Sequence, residues 1–374
     1  MSMLAFFPWL RLNTRKLKLK IGDIILLRFD RKNRLPFRCV RGVQGICDKV
    51  LESYISENGS PVAECSLVSL RGKKILEDIE EKEINYLYSV VEVITFSGLA
   101  KRELFSSTGL GYCNTDDFAF FVHRFSNNDD PSLRAITSRR RDGSTTSFAT
   151  PGVHKIKKPF HTNPYSFFGV ELDTTLAQAL LEAQERLQVE TWLRYSDAIF
   201  NFNRANTDSP AISEHQEVVM TIGAFQRLLD SGHKENELVR KFQGIFQPSK
   251  DLDTKSSRRI GNCDRHGKDM TLRETWLRDF CHMRADYAHG RTKSNRPSLW
   301  TAREHLLLGS YIFPLLVKCL LSNDGLYKLT SSDGCGINAF EKLADSDFFG
   351  DRKQWNQILL QEILRATFSL SLLL

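Results

Sequence analysis

Residues 276–290, WLRDFCHMRADYAHG, decide the fold of this chain because they predict an amphipathic helix with a defined end. Trp276, Phe280, Met283 and Tyr287 are spaced four, three and four residues apart, which places them along one face of a helix. Gly290 follows directly and is typical of a C-terminal helix cap. A helix with one apolar stripe must pack against others, so this stretch predicts a helical domain around it.

The sequence on both sides continues this helical pattern. Apolar residues recur every three or four positions from Thr174 to Leu321, and polar turn residues separate the runs. We therefore predict an α-helical domain over 174–322, followed by a helical extension over 323–374. The predicted helices are 174–206, 214–229, 235–246, 272–289, 301–321 and, in the extension, 353–364.

The first 165 residues predict a β-rich domain instead. Runs rich in β-branched and aromatic residues predict strands over 21–29, 86–96 and 118–125. Asp142-Gly143 between two polar runs predicts a hairpin over 135–148. The fold class expected is α+β, with a β-rich N-terminal domain that precedes an all-α bundle.

The positive charge of the protein belongs to the β-rich part. The chain carries a net charge of +7. Residues 1–165 contain 26 Lys/Arg and 18 Asp/Glu, a balance of +8, and the remaining 26 basic and 27 acidic residues give −1. A basic domain beside a near-neutral one indicates a polyanionic partner, of which nucleic acid is the commonest, although a solvated basic surface has the same composition.

Arg284 and His289 are the residues in this helix that can carry chemistry. RNA cleavage without a metal needs a base for the 2′-hydroxyl, an acid for the leaving 5′-oxygen and a cation for the phosphate. Histidine suits either proton transfer, and the fork of an arginine binds two phosphate oxygens at once. One Arg and one His make a sparse site, so two copies facing each other across a dimer axis would make a fuller one.

The Arg-x₄-His-Gly pattern near the end of a helical domain resembles the HEPN superfamily. The segment from Met283 to Arg291 is similar in particular to a conserved stretch of the Apea-like HEPN proteins of bacteria, and the resemblance covers residues 174–322. Residues 218–229 resemble the second HEPN helix. Residues 6–10 and 91–96 resemble the family's N-terminal region less specifically.

The resemblance implies a metal-independent endoribonuclease that acts as a homodimer through its helical domain, in phage defence, abortive infection or a toxin system. Arg284 would hold the scissile phosphate and His289 would act as general acid or base. The chain departs from the family at Ala285, where Asn, Asp or His usually follows the arginine; Asp286, one position later, is a candidate catalytic residue in its place. A polar residue of the first helix also contributes in the family, and Asp197, Asn201 and Arg194 are the candidates here.

Clusters of basic residues are the expected RNA contacts, although each could also be an ordinary exposed face. The expected partner is RNA, either tRNA or mRNA, and the N-terminal domain would bind the substrate or a phage or cellular trigger. The predicted RNA-binding residues are Arg139, Arg140, Arg141, Lys155, Lys157, Lys158, Arg258, Arg259 and Arg291.

Neither a cofactor nor a metal is expected. No Gly-rich phosphate loop is present, and Cys263-x₂-His266 with Cys281-His282 matches no common zinc spacing. Eight scattered cysteines fit a reducing compartment, and the apolar run 306–321 is too short and broken to span a bilayer. We expect a cytoplasmic protein without a membrane segment.

Two other functions remain open from the sequence. The helical domain could be a non-catalytic dimerisation or nucleic-acid-binding module of a larger assembly, which the Ala285 departure favours. The basic N-terminal domain could also bind DNA as part of a regulator.

Overall fold

The computed structural model divides the chain into two units. Unit 1 comprises Met1–Arg102 and Leu110–Thr174, and unit 2 comprises Glu103–Gly109 and Thr175–Leu374. The structure describes residues 2–13, 17–34, 36, 41–56, 58–104, 111–125, 155–158, 169–232, 234–246, 270–290, 298–346 and 357–362, and the backbone of 134–139 and 145–150. The fold class is α+β, as predicted.

Unit 1 is built on an antiparallel sheet of five strands in the order β2-β3-β5-β1-β6. Its strands are β1 (Ser2–Phe7), β2 (Lys18–Ile21), β3 (Ile24–Asp30), β5 (Glu64–Leu70) and β6 (Phe121–Phe125). Gly22 has a positive φ of 57°, which a glycine adopts without strain, and it lies in the tight turn joining β2 to β3. The predicted strand over 21–29 is therefore β3 together with this turn.

The rest of unit 1 packs around this sheet and carries two smaller strand pairs. Helix α1 (Arg41–Leu51) precedes β4 (Tyr54–Ile55), which pairs in parallel with β9 (Ile156–Lys157). The predicted hairpin is confirmed, since β7 (Arg134–Arg139) pairs antiparallel with β8 (Thr145–Thr150). Cys47, Val50 and Leu51 of α1 join Phe6 and Leu67 of the sheet in one buried core.

The predicted strand over 86–96 is wrong, because this segment lies within α2 (Glu81–Lys101). The C-terminal half of α2 is buried on nearly every side, from Val90 to Leu99, so its sequence lacks the polar stripe of a surface helix. A continuous apolar run with many β-branched residues cannot be distinguished from a buried strand by periodicity. The helical signal lies just before it, where the Glu83 carboxylate accepts a hydrogen bond from the Glu80 amide at 2.8 Å.

Unit 2 is all-helical over its described residues. Helix α5 (Glu214–Leu228) packs against α4 (Val189–Arg204), α7 (Leu272–Ala288) and α8 (Ala302–Asn323). Helix α9 (Ser331–Asp345) packs against α7 and α8. The aromatic core includes Phe225, Trp276 and Phe313. The chain also forms α3 (Thr174–Arg186) and α6 (Glu235–Ile245) in this region.

Two helix predictions in unit 2 need correction. The predicted single helix over 174–206 is two helices, interrupted at Leu187 and Gln188. Helix α9 was not predicted, and within the predicted helix over 353–364 the described residues 357–362 are helical. The other predicted helices match α5, α6, α7 and α8 to within two residues.

Helix α8 is the one described helix that is long and apolar enough to cross a membrane by length and composition. Of its 18-residue apolar window, 61% is buried inside the protein. This burial is that of a core helix in a soluble protein.

Candidate functional site

The end of α7 is built as the sequence predicts. The Thr271 hydroxyl caps its N-terminus by accepting from the Glu274 amide at 3.1 Å. At the other end, the His289 amide donates to the Ala285 carbonyl at 3.1 Å, and Gly290 takes a φ of 64°. The helix therefore ends immediately before His289, whose side chain is exposed.

Arg284 borders a cleft of about 540 Å³ in unit 2. Helix α4 contributes Phe200 and Asn201, and α5 contributes Val219 and Gln226. The Nε atom of Arg284 is shielded from solvent and has no hydrogen-bond partner among the described residues. Leaving a buried donor unsatisfied costs about 1–3 kcal/mol, and more for a charged group. Since Nε is shielded, an anion in this cleft would bind the guanidinium through its terminal nitrogens.

The other charged groups of the cleft are each paired with an opposite charge. Both Nε and Nη2 of Arg227 donate to Asp197 Oδ2, at 2.9 and 2.7 Å. Asp230, which also lines the cleft, has its Oδ2 3.4 Å from Nη1 of Arg194, a residue outside the described lining. Asp197, a candidate catalytic residue, is therefore engaged as the counter-ion of Arg227, and Arg194 as that of Asp230.

Arg284 and His289 do not share a face of α7. At about 100° per residue, their directions differ by about 140° around the helix axis. His289 is absent from the described lining of the cleft that Arg284 borders. One chain thus presents the two predicted catalytic residues in different directions.

Asp286 is half-buried beside Tyr287. Burial, with added contributions from the carboxylates of Glu214 and Asp286, raises the pKa of Tyr287. Among the first-helix candidates, Asp197 and Asn201 of α4 both line the Arg284 cleft, and Asp197 is already paired with Arg227. Asn201 is thus better placed than Asp197 to contact a ligand held by Arg284.

The structure adds His215, which the sequence did not single out. Its ring stacks on that of Tyr287, with centroids 3.8 Å apart and planes 24° apart. His215 lies in the first turn of α5 and is exposed, next to Glu214, whose Oε1 accepts from Arg303 Nε at 2.6 Å. The sequence could not reveal this contact, because it depends on which side of α5 faces α7.

Most of the predicted RNA-binding residues lie outside the described residues. This applies to Arg140, Arg141, Arg258, Arg259 and Arg291, whereas Arg139 is described only as backbone in β7. Lys155 and Lys157 are exposed. The Lys158 side chain is 5% exposed and its Nζ lies 3.1 Å from Asp117 Oδ1, so its charge is already paired within the protein.

No group of three or more His, Cys, Asp or Glu in the described part of the chain is placed to hold a metal ion. Cys263 and His266 lie outside that part. The thiol of Cys281 is buried, which raises its pKa to about 12, and such a thiol is a poor metal ligand.

Comparison of the chain with protein-family models, with curated proteins and with solved structures finds no match in any of the three.

Proposed function

We propose that the protein is a metal-independent endoribonuclease of the HEPN type, with Arg284 as its phosphate-binding residue. The observation that carries this proposal is the unsatisfied, solvent-shielded Nε of Arg284 at the edge of a cleft. A guanidinium binds phosphate through paired donors. The amide of Asn201 borders the same cleft and offers a hydrogen-bonding edge for a nucleotide base.

The reaction proposed is transesterification of RNA. The 2′-oxygen attacks the phosphorus, so that the O2′–P bond forms and the P–O5′ bond breaks. One proton leaves the 2′-hydroxyl for a general base, and another passes from a general acid to the 5′-oxygen. The products are a 2′,3′-cyclic phosphate and a 5′-hydroxyl end, and His289 performs one of the two proton transfers.

A second copy of the chain brings His289 to the site. Because His289 is not among the described residues that line the Arg284 cleft of its own chain, the His289 that serves Arg284 belongs to the partner in a homodimer. Val189, Leu193 and Phe200 form an exposed apolar stripe on α4, within about 40° of each other around the helix axis. This stripe borders the Arg284 cleft at Phe200, so its burial in a dimer would bring the second chain next to the phosphate site.

The net charge of the N-terminal unit supports the proposed substrate, and the free cysteines support the proposed location. The excess of basic residues in 1–165 supports RNA binding, to tRNA or mRNA, by the N-terminal unit, together with a role for this unit in sensing a phage or cellular trigger. The six described cysteines are all free, which supports a cytoplasmic location. An RNase with these parts suits abortive infection or a toxin system.

The test is cleavage of a fluorescent single-stranded RNA and of bulk tRNA by the pure full-length protein in EDTA. Wild type should produce cyclic-phosphate ends. Arg284→Ala should lower the rate by about 100- to 1000-fold through loss of phosphate stabilisation, and His289→Gln by about 100- to 10,000-fold. The matched control is His282→Gln, because His282 is also on α7 but its Nε2 lies 3.2 Å from Glu235. Absence of cleavage by wild type would refute the proposal. Cleavage by the Arg284 and His289 variants at the wild-type rate would refute it as well.

The second candidate is a non-catalytic nucleic-acid-binding module. It is favoured by Ala285 and by the 140° separation of Arg284 and His289 within one chain. It predicts that RNA binds in the cleft and survives intact, and that Arg284→Ala weakens binding whereas His289→Gln does not.

A further inference from the structure

We propose that His215 is a second catalytic residue of the ribonuclease site, one that transfers a proton to or from the RNA held by Arg284. This inference rests on the proposed function. It assigns the proton transfer that His289 does not perform, and it places that group in the same chain as the phosphate-binding arginine.

The side of α7 that bears Arg284 also carries Tyr287. The two residues are about 60° apart around the helix axis and about 4.5 Å apart along it. Tyr287 stacks on His215 with ring centroids 3.8 Å apart. The imidazole of His215 is thus connected to the Arg284 side of α7 by one ring contact.

The spacing of residues on α5 also relates His215 to the Arg284 cleft. His215 and Val219 are one turn apart and about 40° apart around the axis of α5, and Val219 lines the cleft together with Arg284. The His215–Tyr287 pair is not among the described residues that line the cleft, and it lies beyond the cleft edge, about one helical turn from Arg284 along α7. One turn is about 5.4 Å along the helix axis.

His215 is also accessible and fixed in orientation. Its side chain is exposed, so RNA can reach the ring edge, and the stack on Tyr287 restricts rotation of the ring. Tyr287 contacts its ring. Glu214 and Asp286 act on Tyr287, and Asp208 and Glu214 act on Glu217 of the same helix. Arg303 pairs with Glu214 at 2.6 Å, so that carboxylate already has a cationic partner.

The proposed division of labour conserves protons. As the O2′–P bond forms and the P–O5′ bond breaks, one imidazole takes the proton of the 2′-hydroxyl and the other gives its proton to the 5′-oxygen. His289 of the partner chain and His215 fill these two roles. Arg284 holds the non-bridging oxygens between them.

The test compares three full-length variants with wild type on the same fluorescent RNA in EDTA. His215→Phe preserves the aromatic stack on Tyr287 and removes the proton-transfer group, and His215→Gln removes both. His282→Gln is the control for loss of a histidine elsewhere in unit 2. Thermal unfolding of each variant checks that the fold is retained, as expected for an exposed position.

We expect both His215 variants to cleave at least about 100-fold more slowly than wild type and to lose one limb of the pH–rate profile. A substrate with a 5′-bridging sulfur, which leaves without protonation, then assigns the role. It restores the rate of His215→Phe if His215 is the acid and leaves the rate low if His215 is the base.

Cleavage by His215→Phe within about threefold of wild type, with both limbs of the profile intact, would overturn the assignment of His215. In that event a strong loss in Arg284→Ala and His289→Gln would leave the proposed ribonuclease function standing. No cleavage by wild type would instead remove the proposed function, and the role of His215 with it.

Discussion

At the scale of single residues, Asp279 is a buried polar group of α7 that bonds to several neighbours. Its Oδ2 accepts from Ser298 Oγ at 2.8 Å and from the amides of Leu299 and Trp300 at 3.0 and 3.2 Å. His305 Nε2 lies 3.0 Å from the same oxygen and is fully buried. One carboxylate thus joins α7 to the loop before α8 and to α8 itself.

We expect Asp279→Ala to lower the free energy of unfolding by about 3–5 kcal/mol, because it leaves several buried donors without an acceptor. Asp279→Asn retains an acceptor oxygen and should cost clearly less. Urea denaturation followed by circular dichroism measures both. Equal losses in the two variants would mean that the side chain contributes through its volume and not through these hydrogen bonds.

Glu217 is a carboxyl group that destabilises the fold at neutral pH. Burial, together with the nearby carboxylates of Asp208 and Glu214, raises its pKa to about 7. The folded state therefore binds the proton more tightly than the unfolded state, whose glutamate titrates near 4.3. The stability from this proton is fully present below that value and is lost as the pH rises through 7.

Glu217→Gln should accordingly raise the free energy of unfolding at pH 8, by about 1–3 kcal/mol after allowance for partial exposure. The gain should shrink towards zero near pH 4.5, where the wild-type carboxyl is protonated. Denaturation curves at the two pH values test this, with Glu185→Gln on the exposed side of α3 as the control. A gain that is the same at both pH values would contradict the proposed ionisation.

At the scale of elements, the ends of helices could be predicted from the sequence more reliably than buried helical interiors. Ser213, Thr271 and Thr301 begin α5, α7 and α8 as side-chain caps, and Gly290 follows the end of α7 with a positive φ. These signals are local, since a cap depends on a few neighbouring residues.

The missed elements depend on partners distant in sequence. Helix α9 contains Gly334 and Gly336, which weaken its helical signal. A Cβ atom on Gly336 would lie 3.2 Å from Leu315 of α8, so the small residue serves a close approach of two helices. The contact between His215 and Tyr287 was likewise missed, because it forms only when α5 packs on α7.

Helix α2 offers a direct test of the strand-to-helix correction. A Cβ atom on Gly98 would overlap the ring of Phe118, so we expect Gly98→Ala to cost about 1–3 kcal/mol through overpacking. Phe118→Leu in the same chain should recover part of that loss. Denaturant unfolding measures the single and double variants.

Gly45→Ala is the matched control for this change. Gly45 lies within α1, and a Cβ atom there would meet no atom within 4 Å. The same substitution should therefore stabilise the protein by up to about 1 kcal/mol. A neutral or stabilising Gly98→Ala would contradict the packing of Phe118 against α2.

At the scale of the whole molecule, the proposed site needs two chains, and mixing experiments can detect this. If Arg284 of one chain works with His289 of the other, a heterodimer of Arg284→Ala and His289→Gln chains contains one intact site. An equal mixture after exchange should then recover about one quarter of the wild-type rate, because half of the dimers have one of their two sites. A site within a single chain would recover nothing.

The apolar stripe on α4 supplies the control for that experiment. Leu193→Asp places a charge in the stripe and should abolish both dimerisation, measured by light scattering, and the recovery of activity on mixing. Leu329→Asp introduces the same charge at another exposed leucine, outside α4, and should preserve both. A monomeric wild-type protein with full activity would contradict the shared site.

The parallel pairing of β4 with β9 has a consequence for the synthesis of the chain. Ser53 and Ile55 of the β4 segment bond to Ile156 and Lys158, about 100 residues later, so the first unit cannot close while the ribosome is still translating the residues between them. During that interval β4 is available as an edge for other chains. Slower translation between Ile55 and Ile156 would lengthen the interval, and synonymous codon changes there should alter how much of the nascent protein aggregates.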